Sequence, residues 1–245
     1  MRDQIDYSIY YKRWHGSERV DFDAAAQEYE RWLLPQLANI PRTASVLDFG
    51  CGYGMLAYFL MRHFSTVTGV DSSPEQVAIG LKHALPVRVV SNDEFSEWTD
   101  SNAQAFDVIF LMDVLEHIPV ADQMAFTRGL VNMLKPGGSI FIKVPNANSL
   151  LASRWRYGDW THCSSFTESS LDFVCLNSGL QDLTYLNDES SVHPRLRWLP
   201  RWGLRQYYLR SFLRGIWRIY LYAELGSQIK QITVGYNLFL RARKP

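Results

Sequence analysis

Residues Val46-Leu47-Asp48-Phe49-Gly50-Cys51-Gly52-Tyr53-Gly54 constrain the fold of this chain more than any other stretch. An apolar run ends on an acid, three glycines follow at alternate positions, and a helix-like segment over residues 55–63 begins at once. Glycine reaches backbone conformations closed to other residues, so the turn can be tight and a ligand can approach the main chain at the carboxyl end of a strand. A parallel α/β sheet whose first strand opens a ligand site is therefore expected.

The rest of the chain agrees with that expectation. Short β-branched runs alternate with helical stretches, which predicts strands over 45–49, 66–70, 87–90, 106–112, 139–144 and 183–186, with a last strand over 232–241. Ser72-Ser73-Pro74-Glu75 caps a helix start, and Lys135-Pro136-Gly137-Gly138 separates a helix from the strand after it. With 245 residues and 47% hydrophobic side chains, one α/β core with appended segments is expected. The segments are a helical prefix over 1–44, a cofactor-binding core over 45–187, an insertion over 188–228 and a final core strand over 229–245. In the prefix, Phe22, Ala25, Ala26, Tyr29, Trp32 and Leu33 recur at helical spacing, and the prefix is expected to pack over the open ligand edge.

Twenty-five basic and 25 acidic side chains give no global field toward nucleic acid, which is not expected as a partner. The three cysteines, Cys51, Cys163 and Cys175, suit neither a disulfide framework nor a zinc site and point to a reducing cytoplasm. Neither a signal-length apolar run after Met1 nor a span of about 18 apolar residues is present, so export and membrane crossing are not expected.

The ligand can be read further. A dinucleotide loop uses G-x-G-x-x-G facing a pyrophosphate, whereas here the spacing is D-x-G-x-G-x-G. Asp48 would repel a pyrophosphate and suits a ligand carrying an ammonium and a sulfonium. Asp71, ending the second strand, can accept both hydroxyls of a ribose, and Asp93 after the third strand can meet an adenine amino group. With Phe106-Asp107-Val108-Ile109-Phe110-Leu111-Met112-Asp113-Val114-Leu115-Glu116-His117 and Leu134-Lys135-Pro136-Gly137-Gly138 following in order, residues 45–186 resemble the class I S-adenosylmethionine-dependent methyltransferases. The resemblance implies a doubly wound, seven-stranded Rossmann-like sheet with a helical N-terminal prefix and a helical insertion before the last strand. It also implies S-adenosyl-L-methionine as cofactor, S-adenosyl-L-homocysteine as product, and Asp48, Gly50, Gly52, Gly54, Asp71, Ser72, Asp93 and Met112 as the cofactor-binding residues.

Two histidines are the catalytic candidates. A hydroxyl acceptor must lose its proton, and His117, just past the fourth strand beside Asp113 and Glu116, titrates near neutrality. Its alternative role is to orient the loop before Pro119. The Asp113-x-x-Glu116-His117 element resembles ubiquinone-pathway O-methyltransferases and could ligate a divalent cation, but aspartate stands where that subgroup commonly has glutamate, and no metal is assigned. His162 lies in Asp159-Trp160-Thr161-His162-Cys163-Ser164-Ser165-Phe166-Thr167, which resembles the family pattern H-x3-F-[ST]-x3-L, with Thr167 capping the next helix. It could bind or deprotonate a hydroxyl, or steady its loop; Cys163 is read as inert.

Between Pro194 and Tyr222 stand seven arginines and three tryptophans, with no lysine and no acid. Leu209, Phe212, Leu213, Ile216, Tyr220 and Leu221 recur at helical spacing while Arg210, Arg214 and Arg218 follow another face, which predicts a basic amphipathic helix. It could dock on anionic lipid or bind an anionic acceptor, or pack its apolar stripe on the sheet or a partner subunit with the arginines solvated. The chain thus reads as an O-methyltransferase acting on a sugar or glycan hydroxyl, lipid-linked or polymeric, at the cytoplasmic membrane face through residues 194–222, with resemblance to methyltransferases that decorate cell-surface polysaccharides. A small-molecule quinone or natural-product O-methyltransferase, magnesium-dependent or not, and a non-catalytic scaffold subunit stay open, as does a homo-oligomer.

Overall fold

The structure, a computed structural model, describes residues 20–186 and 201–245, with residues 201–207 described by backbone alone. Residues 1–19 of the expected prefix, residue 187 of the expected core and residues 188–200 of the expected insertion lie outside the described residues.

Seven strands form one sheet: β1 (Ser45–Phe49), β2 (Thr66–Asp71), β3 (Val87–Val89), β4 (Phe106–Met112), β5 (Leu134–Pro145), β6 (Gln181–Leu186) and β7 (Asn237–Arg243). Their order is β3-β2-β1-β4-β5-β7-β6, with the first five parallel and β7 antiparallel between β5 and β6. The central strands carry the near-continuous apolar runs that burial on both faces requires: Ile109, Phe110, Leu111, Ile140, Phe141 and Ile142 are each wholly enclosed. From β1 the chain winds outward to β2 and β3, then returns to β4 on the other side. The connections after β1 and β4 therefore diverge, and a crevice opens between them at the carboxyl ends of the strands.

Helices cover both faces. On one lie α1 (Phe22–Trp32) and α2 (Met55–Leu60), where Trp32 meets Phe239 edge-on at 5.1 Å between ring centres and Tyr29 meets Phe59 at 5.5 Å. Asp21 caps α1 by accepting from the Ala24 amide at 2.9 Å. On the other face, α4 (Phe95–Ser101), α5 (Gln123–Met133) and α7 (Glu168–Asn177) share a cluster with Trp98, Leu130, Met133, Leu171 and Val174. The α7 start is a capping box, with Thr167 and Ser170 each bonding the other's amide. Helices α3 (Pro74–Lys82), α6 (Ala152–Gly158) and α8 (Arg201–Leu225), with three short 3-10 turns at Leu34–Leu37, Leu115–His117 and Gly226–Gln231, complete the described elements.

Four expectations are corrected. Strand β5 starts at Leu134, five residues earlier than expected, because Leu134 already pairs with Phe106 and residues 135–138 are taken up in an irregular stretch of the same strand. The last strand starts at Asn237, five residues later than expected, because residues 233–235 are held by side chains in place of a ladder. Asn146, fully buried, donates through Nδ2 to the carbonyls of Thr233 and Gly235 at 2.7 and 3.0 Å, and Glu168 accepts from the Thr233 amide at 2.5 Å. The first core helix ends at Leu60, with residues 61–63 forming turns.

Helix α8 reverses the packing expected of an apolar stripe. Leu209, Phe212, Leu213, Ile216, Ile219 and Tyr220 are exposed, whereas Arg210, Arg214, Trp217 and Leu221 form the half-buried stripe. Arg214 lies over the Tyr236 ring at 4.9 Å and Arg210 at 5.9 Å, and Trp217 Nε1 donates to the Asn148 carbonyl at 2.9 Å. The physical reason is that the surface beneath α8 is built from aromatic faces and carbonyls, which reward guanidinium and indole N–H groups more than methyl groups. Among the described residues no helix is long and apolar enough to cross a membrane.

Candidate active site

The crevice between β1 and β4 is a cavity of about 860 Å³. Its first wall is the glycine turn. Gly50 has φ +77°, and a Cβ there would stand 2.2 Å from Val114 Cγ2 in the loop after β4, so only glycine lets the two loops meet. The Gly50 and Cys51 amides both bond the Val70 carbonyl, and the Gly52 amide donates to Asp71 Oδ2 at 2.8 Å. The second oxygen of Asp71 accepts from the Ser73 amide at 2.8 Å, so the carboxylate joins the glycine turn to the start of α3.

Gly50, Gly52, Asp71 and Ser72 line the cavity. Asp48 stands behind them, 2% exposed, with Oδ2 lacking a hydrogen-bond partner. Burial first, and then the Asp71 charge, raise its pKa to about 7. An enclosed carboxylate with an unsatisfied oxygen, behind a cavity rimmed by amides and a second carboxylate, is the donor set a cationic, ribose-bearing ligand requires.

Three of the residues expected at the cofactor stand elsewhere. Gly54 does not line the cavity; a Cβ there would meet Leu85 Cδ1 at 2.8 Å and Val87 Cγ1 at 3.2 Å, so its small size lets the turn pack against the start of β3. Met112 belongs to the Trp32, Phe59 and Phe110 cluster on the opposite face, as alternation along β4 dictates. Asp93 is exposed and away from the lining, because Glu94 closes the turn by accepting from the Ser91 amide and hydroxyl at 2.9 and 2.7 Å; Ser91 and Asn92 form the rim instead. Sequence reasoning missed the aromatic wall of Phe49, Phe95 and Phe126, in which Phe95 stacks on Phe126 at 4.9 Å. No local motif marks it, since the three rings come from three elements.

Beyond Asp113 and Val114 the cavity reaches His117. Its Nδ1 is 2.8 Å from Thr161 Oγ1, and that hydroxyl is 2.6 Å from Asp159 Oδ1, which also accepts from the Thr161 amide at 2.8 Å. A carboxylate can only accept, so the Thr161 proton points to Asp159 and Thr161 accepts from His117; Nδ1 carries the hydrogen and Nε2 is the basic nitrogen. Burial first, and then the neighbouring His162, hold His117 down to about 4. The rings of His117 and His162 meet edge-on at 4.6 Å, so the structure brings together the two histidines that sequence placed 45 positions apart.

His162 Nδ1 lies 2.8 Å from the Trp155 carbonyl, and Arg156 bonds the carbonyl of His162 itself. Glu116 is 1% exposed, has Oε2 without a partner, and has its pKa raised well above the usual carboxylate range by burial and the Asp113 charge. Asp113 turns away from Glu116 to Lys143, whose Nζ is 2.6 Å from its Oδ2, on a backbone with φ +57°. Cys163 is exposed, its Sγ 3.6 Å from the His117 carbonyl.

Comparison with known proteins places these features. The methyltransferase domain family matches residues 22–185. Ubiquinone biosynthesis O-methyltransferase from Sodalis glossinidius is 36% identical over 107 residues, and the enzyme of the same name from Serratia proteamaculans is 37% identical over 108. Those matches cover 42–43% of this chain and 42–44% of the relatives, so the chain spans less than half the length of the curated relatives it matches. Among solved structures, a SAM-dependent methyltransferase from Archaeoglobus fulgidus superposes with a TM-score of 0.64 at 17% identity, covering 98% of this chain and 100% of that one. A Haemonchus contortus phosphoethanolamine N-methyltransferase 2 in complex with S-adenosyl-L-methionine superposes with a TM-score of 0.56 at 17% identity, covering 99% of this chain and 61% of that one. At such identities the structural likeness concerns the fold.

Proposed function

The chain belongs to the methyltransferase domain family, and from that premise we propose that it is an S-adenosylmethionine-dependent O-methyltransferase acting on a hydroxyl of a sugar or glycan. S-adenosylmethionine supplies a methyl group already activated by its sulfonium. The chain supplies placement: Asp48 offers its carboxylate to the cationic amino-acid end, Gly50 and Gly52 let the backbone close on the ligand, Asp71 receives the ribose hydroxyls, and the Phe49, Phe95 and Phe126 wall encloses the adenine side. An acceptor hydroxyl entering past Val114 meets the His117–His162 pair, which draws off its proton.

The single observation that carries the hydroxyl reading is the continuous cavity from the glycine turn to His117, whose tautomer Thr161 and Asp159 fix. The sugar reading is supported by the aromatic residues beside His162: Trp155, Tyr157 and Trp160 are 42, 76 and 96% exposed, with Arg154 and Arg156 among them. Flat, open aromatic faces beside arginines suit sugar rings, which present C–H faces between polar groups, and acidic or phosphorylated sugars in particular. The outward apolar face of α8, with Arg218 exposed upon it, supports a lipid-linked acceptor met at an anionic membrane surface.

The test is methyl transfer from labelled cofactor to a panel of neutral sugars, acidic and lipid-linked glycans, and quinol-like phenols, in the presence and absence of anionic vesicles. Labelling of glycans, stimulated by vesicles, is expected. Transfer confined to phenols would replace this reading by small-molecule O-methylation, which the named relatives favour, and cofactor binding without transfer to any class would favour a scaffold.

A further inference from the structure

The amino-acid end of the cofactor carries an ammonium and a carboxylate, and the acids at the donor end, Asp48 and Asp71, answer only the first. A cation is needed for the second. Among the described residues lining the cavity, the basic side chains are Arg128 and His117. Arg128 donates through Nε and Nη2 to the Asn177 carbonyl at 3.2 and 3.0 Å, and His117, at the acceptor end, is held neutral by burial.

Lys143 stands just behind the lining. On β5 it pairs with Met112 on one side and Phe239 on the other, so a lysine only 16% exposed interrupts an apolar row. An ammonium in such a place is costly unless its charge is used. Asp48, Phe110 and Phe141 share one level of the sheet, and Lys143 lies two residues farther toward the carboxyl ends, the level at which β1 gives way to Gly50. Its Nζ is 2.6 Å from Oδ2 of Asp113, which does line the cavity. Asp113 holds that position on a backbone with φ +57°, a strained conformation for a residue with a side chain. Tyr29 of α1 packs in the same cluster as Met112, and its hydroxyl, which burial keeps protonated, feels the charges of Lys143, Asp48 and Asp113, so the four groups share one neighbourhood.

We propose that Lys143, carried to the cavity wall by Asp113, recognises the carboxylate of the cofactor, so that the Lys143–Asp113 pair meets the ammonium and carboxylate of S-adenosylmethionine charge for charge. An ammonium has three donor hydrogens, so Lys143 can hold Asp113 and a second acceptor at once. The cover of α1 keeps the pair poor in water, where a charge contact is worth more than on an open surface. Lys143 thereby restricts the methyl donor to sulfonium compounds with an intact amino-acid end. The inference rests on the cofactor of the proposed function and not on its acceptor.

The experiment is titration calorimetry of the full chain with S-adenosylmethionine and with decarboxylated S-adenosylmethionine, which lacks only the carboxylate. The parent chain should bind the first at least about tenfold more tightly. Lys143→Met keeps a long apolar stem beside Met112 and should weaken S-adenosylmethionine by about tenfold or more while changing the decarboxylated ligand by less than about threefold. Lys143→Arg should keep the preference for the carboxylate. Lys135→Met, which removes the lysine held by Asp107 at 2.7 Å at the other end of β5, should alter neither affinity. Equal weakening of both ligands by Lys143→Met would show that Lys143 only holds the Asp113 loop, and would overturn the site. Equal binding of both ligands by the parent chain overturns it too and leaves the methyl-transfer reading standing, whereas a parent chain that binds neither removes both.

Discussion

The two ends of the cavity are built differently. At the donor end, the contacts that shape the site are near in sequence and tie backbone amides to a single carboxylate: Gly52 to Asp71 spans 19 residues across two adjacent parallel strands, and Asp71 to Ser73 spans two. At the acceptor end and on the loops that back it they are distant and each needs a side chain, with His117 to Thr161 spanning 44 residues, Asn148 to Trp217 spanning 69 and Asn146 to Thr233 spanning 87. The donor end is rigid by topology. The acceptor end is assembled from loops that the sheet merely anchors, which is where a family varies what it modifies while keeping what it binds.

That contrast can be broken at several points, and the largest effect is expected at Gly50. In Gly50→Ala the new methyl group meets Val114 at 2.2 Å on a backbone with φ +77°, so titration calorimetry should show cofactor affinity lower by about a hundredfold or more. Retained affinity would mean that the loops after β1 and β4 need not meet. The acceptor end should yield separately. Asn146→Ala strips two carbonyls of their donor and should cost about 2 kcal/mol in denaturant unfolding, with cofactor affinity changed less than about threefold. A large loss of cofactor affinity would show that the two ends are coupled. Back at the donor end, Asp71→Asn keeps one of two amide contacts and loses the charge, which should weaken cofactor binding by about tenfold in the same assay.

A smaller effect follows from Asp48. Its folded pKa of about 7 lies above that of an unfolded aspartate, so its contribution to the stability of the ligand-free chain is present below about pH 4 and lost as pH rises through 7. A cationic ligand favours the charged form, so cofactor affinity should rise severalfold from pH 6 to pH 8, with proton release on binding, and Asp48→Asn should flatten the profile. The least effect is expected on α8: Phe212→Ser should shift stability by no more than about 0.5 kcal/mol, because that side chain is 65% exposed, while reducing flotation with anionic vesicles.

The same contrast decides what could be read from sequence. β1 and β4 were legible to the residue because apolar runs between glycine and acidic turns leave little choice of register, and Gly50, Gly52, Asp71 and Ser72 follow from the strand ends. Asp93 and Met112 were misplaced by one structural step each: a turn closed by Glu94 instead, and a strand alternation that sends Met112 to the far face. The convergence of His117 with His162 needed the path of residues 146–162, which no periodicity encodes. Helix α8 was legible as a helix, but the direction of its faces depended on Tyr236 and Asn148, both supplied from outside it.

The central claim is that donor binding and acceptor chemistry reside in separable ends of one cavity, with His117 and His162 serving only the second. Measuring cofactor affinity and single-turnover methyl transfer on the double variant His117→Ala/His162→Ala tests it most directly. Affinity within about threefold of the parent chain together with transfer reduced by at least about a hundredfold is predicted. Undiminished transfer, or transfer and affinity lost together in a folded chain, would contradict it.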